Sequence, residues 1–70
     1  MTLSELIYEI DVQGECAVAV YDYDTSEYTA KHNTYSLTCN KYIRDTYGEY
    51  IVHFIYNGDN GETVIEISIE

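Results

Sequence analysis

Hydrophobic positions along this chain change period several times, and each change predicts an element. Leu3, Leu6, Ile7 and Ile10 recur at i, i+3, i+4 and i+7, one face of an α-helix, while Ser4, Glu5, Tyr8, Glu9 and Asp11 fall off that stripe. Thr2 and Glu5 have the spacing of a capping box, in which each side chain satisfies a backbone N–H of the other. A helix over 3–11 is expected, with Gly14 as its stop. From Glu15 the period drops to two. Cys16, Val18 and Val20 would share one strand face, and Ala17, Ala19, Tyr21 and Tyr23 the other. Asp24-Thr25-Ser26-Glu27 carries turn chemistry and 28–32 reads as a returning strand, which makes a first β-hairpin over 15–32.

The stretch 33–48 is less periodic. Leu37, Ile43 and Tyr47, with Asn40 on their side, suit a short helix near 37–46 that Thr34 or Ser36 would cap and Gly48 would end. Thr34, Tyr35, Thr38 and Tyr42 also suit a strand; the helix is the preferred reading. Tyr50–Tyr56 is rich in strand formers and apolar on both faces, and Asn57-Gly58-Asp59-Asn60-Gly61 supplies turn residues able to take positive φ. Thr63 to Ile69 then alternates, with Ile65, Ile67 and Ile69 inward and Val64, Glu66, Ser68 and Glu70 outward. The expected fold is α+β: an N-terminal helix, a β-hairpin, a short helix and a second β-hairpin, forming a mainly antiparallel four-stranded sheet with helices on one face. Seventy residues make one small domain, 1–70.

Charge narrows the function. Thirteen acidic and 3 basic side chains give a net charge of −10. Direct nucleic-acid binding is excluded because the phosphates would be repelled, and docking on an anionic membrane is disfavoured for the same reason. At 46% hydrophobic the chain is too apolar for a disordered acidic tail. It has no apolar run near the roughly 20 residues of a membrane span, and its start lacks the basic region of a signal peptide. A folded, soluble, cytoplasmic protein is expected. Cys16 and Cys39 fit a reducing compartment and read as two small hydrophobes; their spacing establishes no pairing.

The charges fall in blocks. Residues 1–30 hold Glu5, Glu9, Asp11, Glu15, Asp22, Asp24 and Glu27 and no Lys or Arg; Lys31, Lys41 and Arg44 are the only bases; the remaining acids follow from Asp45 onward. Solubility in a small domain needs a net charge of magnitude about 2–8, and further like charge destabilises a compact chain. The surplus fits a surface that attracts a basic partner, with plain solubility as the alternative. Nine tyrosines exceed what one small core uses. Interleaved with Asp and Glu, tyrosine makes a surface that stacks on Arg and pairs with it.

Catalytic patterns are lacking: there is no Gly-rich phosphate loop, nucleophile elbow, zinc-protease motif or CxxC. His32 and His53 fall on different predicted hairpins, and Asp22-Tyr23-Asp24 lacks the glycine and closing spacing of a calcium loop. No enzyme activity, cofactor or metal is expected.

The opening Thr2-Leu3-Ser4-Glu5-Leu6-Ile7-Tyr8-Glu9-Ile10, the segment Tyr21-Asp22-Tyr23-Asp24-Thr25 and the closing Val64-Ile65-Glu66-Ile67-Ser68-Ile69 resemble parts of short phage and mobile-element proteins. Small size, acidity and α+β character extend the resemblance to anti-CRISPR inhibitors, several of which imitate DNA. The resemblance implies a binder that blocks a basic nucleic-acid-binding protein of the bacterial host, such as a CRISPR effector or another defence nuclease. Carboxylates would stand in for phosphates: Glu5, Glu9, Asp11, Glu15, Asp22, Asp24 and Glu27, with Tyr21, Tyr23 and Tyr28 as packing anchors. Lys31, Lys41 and Arg44 depart from a uniformly acidic mimic and confine that role to part of the surface. The rival expectation is a structural or oligomeric module without inhibitory role, a homodimer built on a strand edge or on the second apolar face around Ile51, His53 and Ile55. A small-molecule binder is a third reading and requires a pocket.

Overall fold

The computed structural model describes residues 1–69. Its first helix, α1 (Leu3–Glu9), starts on the expected capping box: Thr2 Oγ1 accepts the Glu5 N–H at 3.2 Å and Glu5 Oε1 accepts the Thr2 N–H at 2.9 Å. Those bonds from Thr2 hold the Glu5 carboxyl below the usual carboxylate range. The helix stops sooner than its periodicity implies. Ile10 is already extended (φ −131°, ψ 128°) and 54% exposed, so neither Ile10 nor Asp11 belongs to it. The chain must turn back to the sheet within a few residues, and Val12 takes over as the apolar anchor, its N–H donating to Thr38 Oγ1 at 2.8 Å. Gly14 adopts φ +81°, which favours glycine, and its carbonyl accepts from the Ser36 N–H.

Four strands follow: β1 (Glu15–Asp22), β2 (Glu27–Tyr35), β3 (Ile51–Asn57) and β4 (Thr63–Ser68), in the sheet order β2-β1-β4-β3. The α+β class agrees with the sequence reading, but the sheet is mixed. The pairs β1–β2 and β3–β4 are antiparallel, whereas the two central strands, β1 and β4, run parallel. The strands whose residues are buried on both faces, Cys16–Val20 and Val64–Ser68, occupy the centre, and this forces the crossover. Strand β2 is also longer than 28–32.

Between β2 and β3 the chain forms a single 3-10 turn (Leu37–Cys39) and a second helix, α2 (Lys41–Tyr47), instead of one helix over 37–46. Asn40 divides them and caps α2, its Oδ1 accepting the Ile43 N–H at 3.0 Å; Thr34 and Ser36 do not cap it. Gly48 follows α2 where backbones come close: its carbonyl accepts the Ser4 N–H at 2.8 Å, and a Cβ there would collide with the Ser4 side chain and the Arg44 carbonyl.

Both helices and the 3-10 turn cover one face of the sheet. Leu3, Leu6, Ile7, Leu37 and Ile43 close over Cys16, Val18, Val20, Ile65 and Ile67. Burying one such side chain stabilises by about 1.5–3 kcal/mol. Ile69, expected inward, lies beyond the end of β4 and is 75% exposed. Val64, Glu66 and Ser68 do point away from this core, as their alternation implies, yet all three are buried. Glu70 lies outside the described residues. Among the described residues no helix is long and apolar enough to cross a membrane.

Candidate functional site

The uncovered face of the sheet is built from cross-strand rows, because directly paired residues point the same way. One row runs Asn33–Ala17–Val64–Tyr56 and the next Lys31–Ala19–Glu66–Phe54. Small residues thus occupy much of the centre and tall ones the edges. Register shifts add to the contrast. One lies between Val20 and Tyr21, with Thr29 as the extra residue of β2; the other lies between Val52 and Phe54, with His53 as the extra residue of β3. The bulge sets His53 on this face beside Phe54, with its Nε2 2.6 Å from Ser68 Oγ.

Aromatic rings continue from there. Tyr23 meets the His53 ring at 5.2 Å, Tyr21 meets Tyr23 at 4.8 Å, and Tyr28 meets Tyr21 at 4.9 Å, all edge to face. Tyr28 then reaches diagonally over Ala19, and its hydroxyl donates to Glu66 Oε1 at 2.6 Å. Glu66 is 7% exposed, so this bond answers one of its oxygens where water cannot fully do so. The bond to Glu66 raises the Tyr28 phenol well above the ordinary tyrosine value, and the neighbouring Tyr56 adds to the shift. A groove of about 550 Å³ lies alongside, floored by Ala19 and Val64, walled by Tyr28 and Tyr56, with Lys31 and Asp59 on its rim.

Of the ten residues expected to bind a partner, the structure gathers six around the β1–β2 turn: Tyr21, Asp22, Tyr23, Asp24, Glu27 and Tyr28. Asp22 has a structural task as well, since its Oδ1 accepts the N–H groups of Asp24 and Thr25. Asp24 and Glu27 are exposed. The other four lie apart. Glu5 and Glu9 sit on α1, in the layer that covers the opposite face; Asp11 follows the helix; Glu15 stands at the far end of β1, seven residue steps or about 23 Å from Asp22. One ion pair is present among the described residues, the exposed Arg44–Asp45 contact at 4.0 Å, so none of those carboxylates is neutralised by an internal base.

The remaining tyrosines divide. Tyr47 and Tyr50 pack against the helix-side core, and Tyr47 hydroxyl and His32 Nε2 are 2.9 Å apart. Burial raises the Tyr47 phenol, with Tyr42 and Tyr50 adding to it. Tyr8, Tyr35 and Tyr42 are exposed elsewhere. Sequence reasoning set His53 on the second sheet face and Glu66 outward, but it did not join them to the tyrosines and missed Phe54 and Tyr56 on this face. Their signal was the two-sided apolar character of Tyr50–Tyr56 together with a lone glutamate in an isoleucine-rich strand. Cys16 is buried and Cys39 exposed, both as free thiols; burial raises the Cys16 thiol. No group of three or more His, Cys, Asp or Glu side chains able to hold a metal occurs among the described residues. In comparisons with known proteins, no protein-family profile, no curated protein and no solved structure matches the chain.

Proposed function

We propose that this domain is an acidic inhibitor of the phage anti-defence type, anti-CRISPR-like in action, which covers a cationic nucleic-acid-binding surface of a bacterial protein. One observation carries the reading: the edge-to-face rings of Tyr21, Tyr23 and Tyr28 stand beside exposed Asp24 and Glu27, within residues 1–30, which hold no Lys or Arg. Guanidinium groups stack on aromatic faces and pair with carboxylates, so this constellation suits an arginine-bearing surface. The proposed contact is smaller than the sequence implied. Glu5, Glu9, Asp11 and Glu15 are too dispersed to touch the same patch and act through the overall field, which speeds encounter with a cationic partner.

The test begins with capture of bacterial proteins on the immobilised domain. A bound protein is then assayed for competition with its own nucleic acid at low and high salt. The expected result is mutual exclusion and an affinity that falls steeply with salt. Reversal of Asp24 and Glu27 together (Asp24→Lys, Glu27→Lys) is expected to abolish binding; retained binding rejects the reading.

Self-association is the second reading, favoured by Phe54, Ile55 and Tyr56, which are exposed in succession along edge strand β3. Its salt dependence has the opposite sign. Two copies carrying −10 each repel, and screening would promote a dimer. Sedimentation across a salt series separates the two readings.

A further inference from the structure

The groove between Tyr28 and Tyr56 has features that the turn itself lacks. Its floor is made by short side chains, Ala19 and Val64, both buried although no helix covers them. Its walls are two tyrosine rings from opposite edge strands. Tyr28 is held in place by its bond to buried Glu66, so that wall is pre-positioned. Asp59, in the β3–β4 turn, places a carboxylate on the rim, whereas Glu66 is buried behind the Tyr28 hydroxyl and does not line the groove. Lys31 is the one base on its rim and is exposed, with a flexible stem that can swing to water.

We propose that this groove seats one arginine side chain of a basic protein partner, its guanidinium plane against the Tyr28 and Tyr56 rings and its charge answered by Asp59. The inference rests on the acidic-binder reading and specifies where that partner is gripped. Neutral tyrosine rings attract a cation through their faces, and a flat guanidinium fits between such walls better than a round ammonium. An anionic occupant would meet the field of a chain whose net charge is −10. A second copy of the chain would bring another net charge of −10 to the same face.

The test titrates the isotope-labelled full chain with hexa-arginine and, separately, with hexa-lysine, following the backbone amides by NMR. Hexa-arginine is expected to shift the amides of Ala19, Tyr56 and Val64 and to bind more tightly than hexa-lysine. Tyr56→Ala removes one exposed wall and weakens hexa-arginine about 2–5-fold, the scale of one cation–π contact at an exposed site. Tyr56→Phe restores the affinity, and Lys31→Glu increases it. Shifts confined to Asp22–Glu27, equal affinity for the two peptides, or an unaffected Tyr56→Ala would overturn the arginine seat while leaving the acidic-binder reading standing. Failure of both peptides to bind overturns the two together.

Discussion

Val18 and Ile67 are buried because Leu3, Leu6, Leu37 and Ile43 lie over them; on the opposite face of the same strands Ala17 and Val64 are just as buried with no second layer above. The covered face excludes water by packing one set of apolar side chains against another. The open face excludes it by height: short residues on the central strands are overhung by tyrosines, Phe54 and Lys31 from the edge strands. The first arrangement consumes its apolar surface in folding. The second leaves aromatic surface facing water, with Tyr28 58% and Phe54 57% exposed. One sheet therefore carries the packed core on one side and an exposed aromatic surface on the other.

That contrast breaks most clearly in the core. Ile67→Ala, at a fully buried site under the helices, should cost about 2–5 kcal/mol in denaturant unfolding, a large share of what so small a domain possesses. A loss comparable to that of a surface substitution would mean the helical layer is not the stabilising one.

Tyr28→Phe tests the open face next. It leaves the buried Glu66 carboxylate without that donor and should cost about 1–3 kcal/mol. The same bond has a pH signature. Because the folded Tyr28 value lies above the unfolded one, the stabilisation is complete below the unfolded tyrosine value near ~10 and is lost as pH rises through the higher folded value. Ultraviolet titration should show a late-ionising phenol that Tyr28→Phe removes and Glu66→Gln returns toward the ordinary range. The phenol of Tyr47, raised by burial, stays in both variants.

Val64→Ala is expected to cost least, about 1 kcal/mol by the methyl groups removed, because the overhanging side chains can settle into the space. A loss as large as that of Ile67→Ala would show the open face to be as rigidly packed as the covered one.

Much of this was legible locally. The capping box at Thr2 and Glu5, the alternation of β1 and β4 and the turn at 57–61 depend on neighbours within a few residues, and they formed where those neighbours placed them. Errors arose where a distant partner decides. Ile10 has helical spacing but leaves the helix because the return to β1 favours Val12 as the anchor. Asn40 shares the apolar side of a hypothetical longer helix, yet it caps α2, and its Nδ2 donates to Thr34 Oγ1 on β2 at 2.9 Å. For the candidate site, the turn residues from Tyr21 to Tyr28 were legible because they are contiguous. Glu66, Phe54 and Tyr56 were not, since a strand reveals which residues share its face but not what stands on the strands beside it.

By itself the sequence determined the class of fold, the number of strands, the amphipathic first helix and a net charge of −10, all consequences of composition and short-range period. Only tertiary structure decided that β1 and β4 run parallel at the centre, that four of the seven candidate carboxylates are dispersed, and that Tyr28 meets Glu66, 38 residues away. Such pairings follow from strand order and register, which many distant contacts set together and no local pattern encodes.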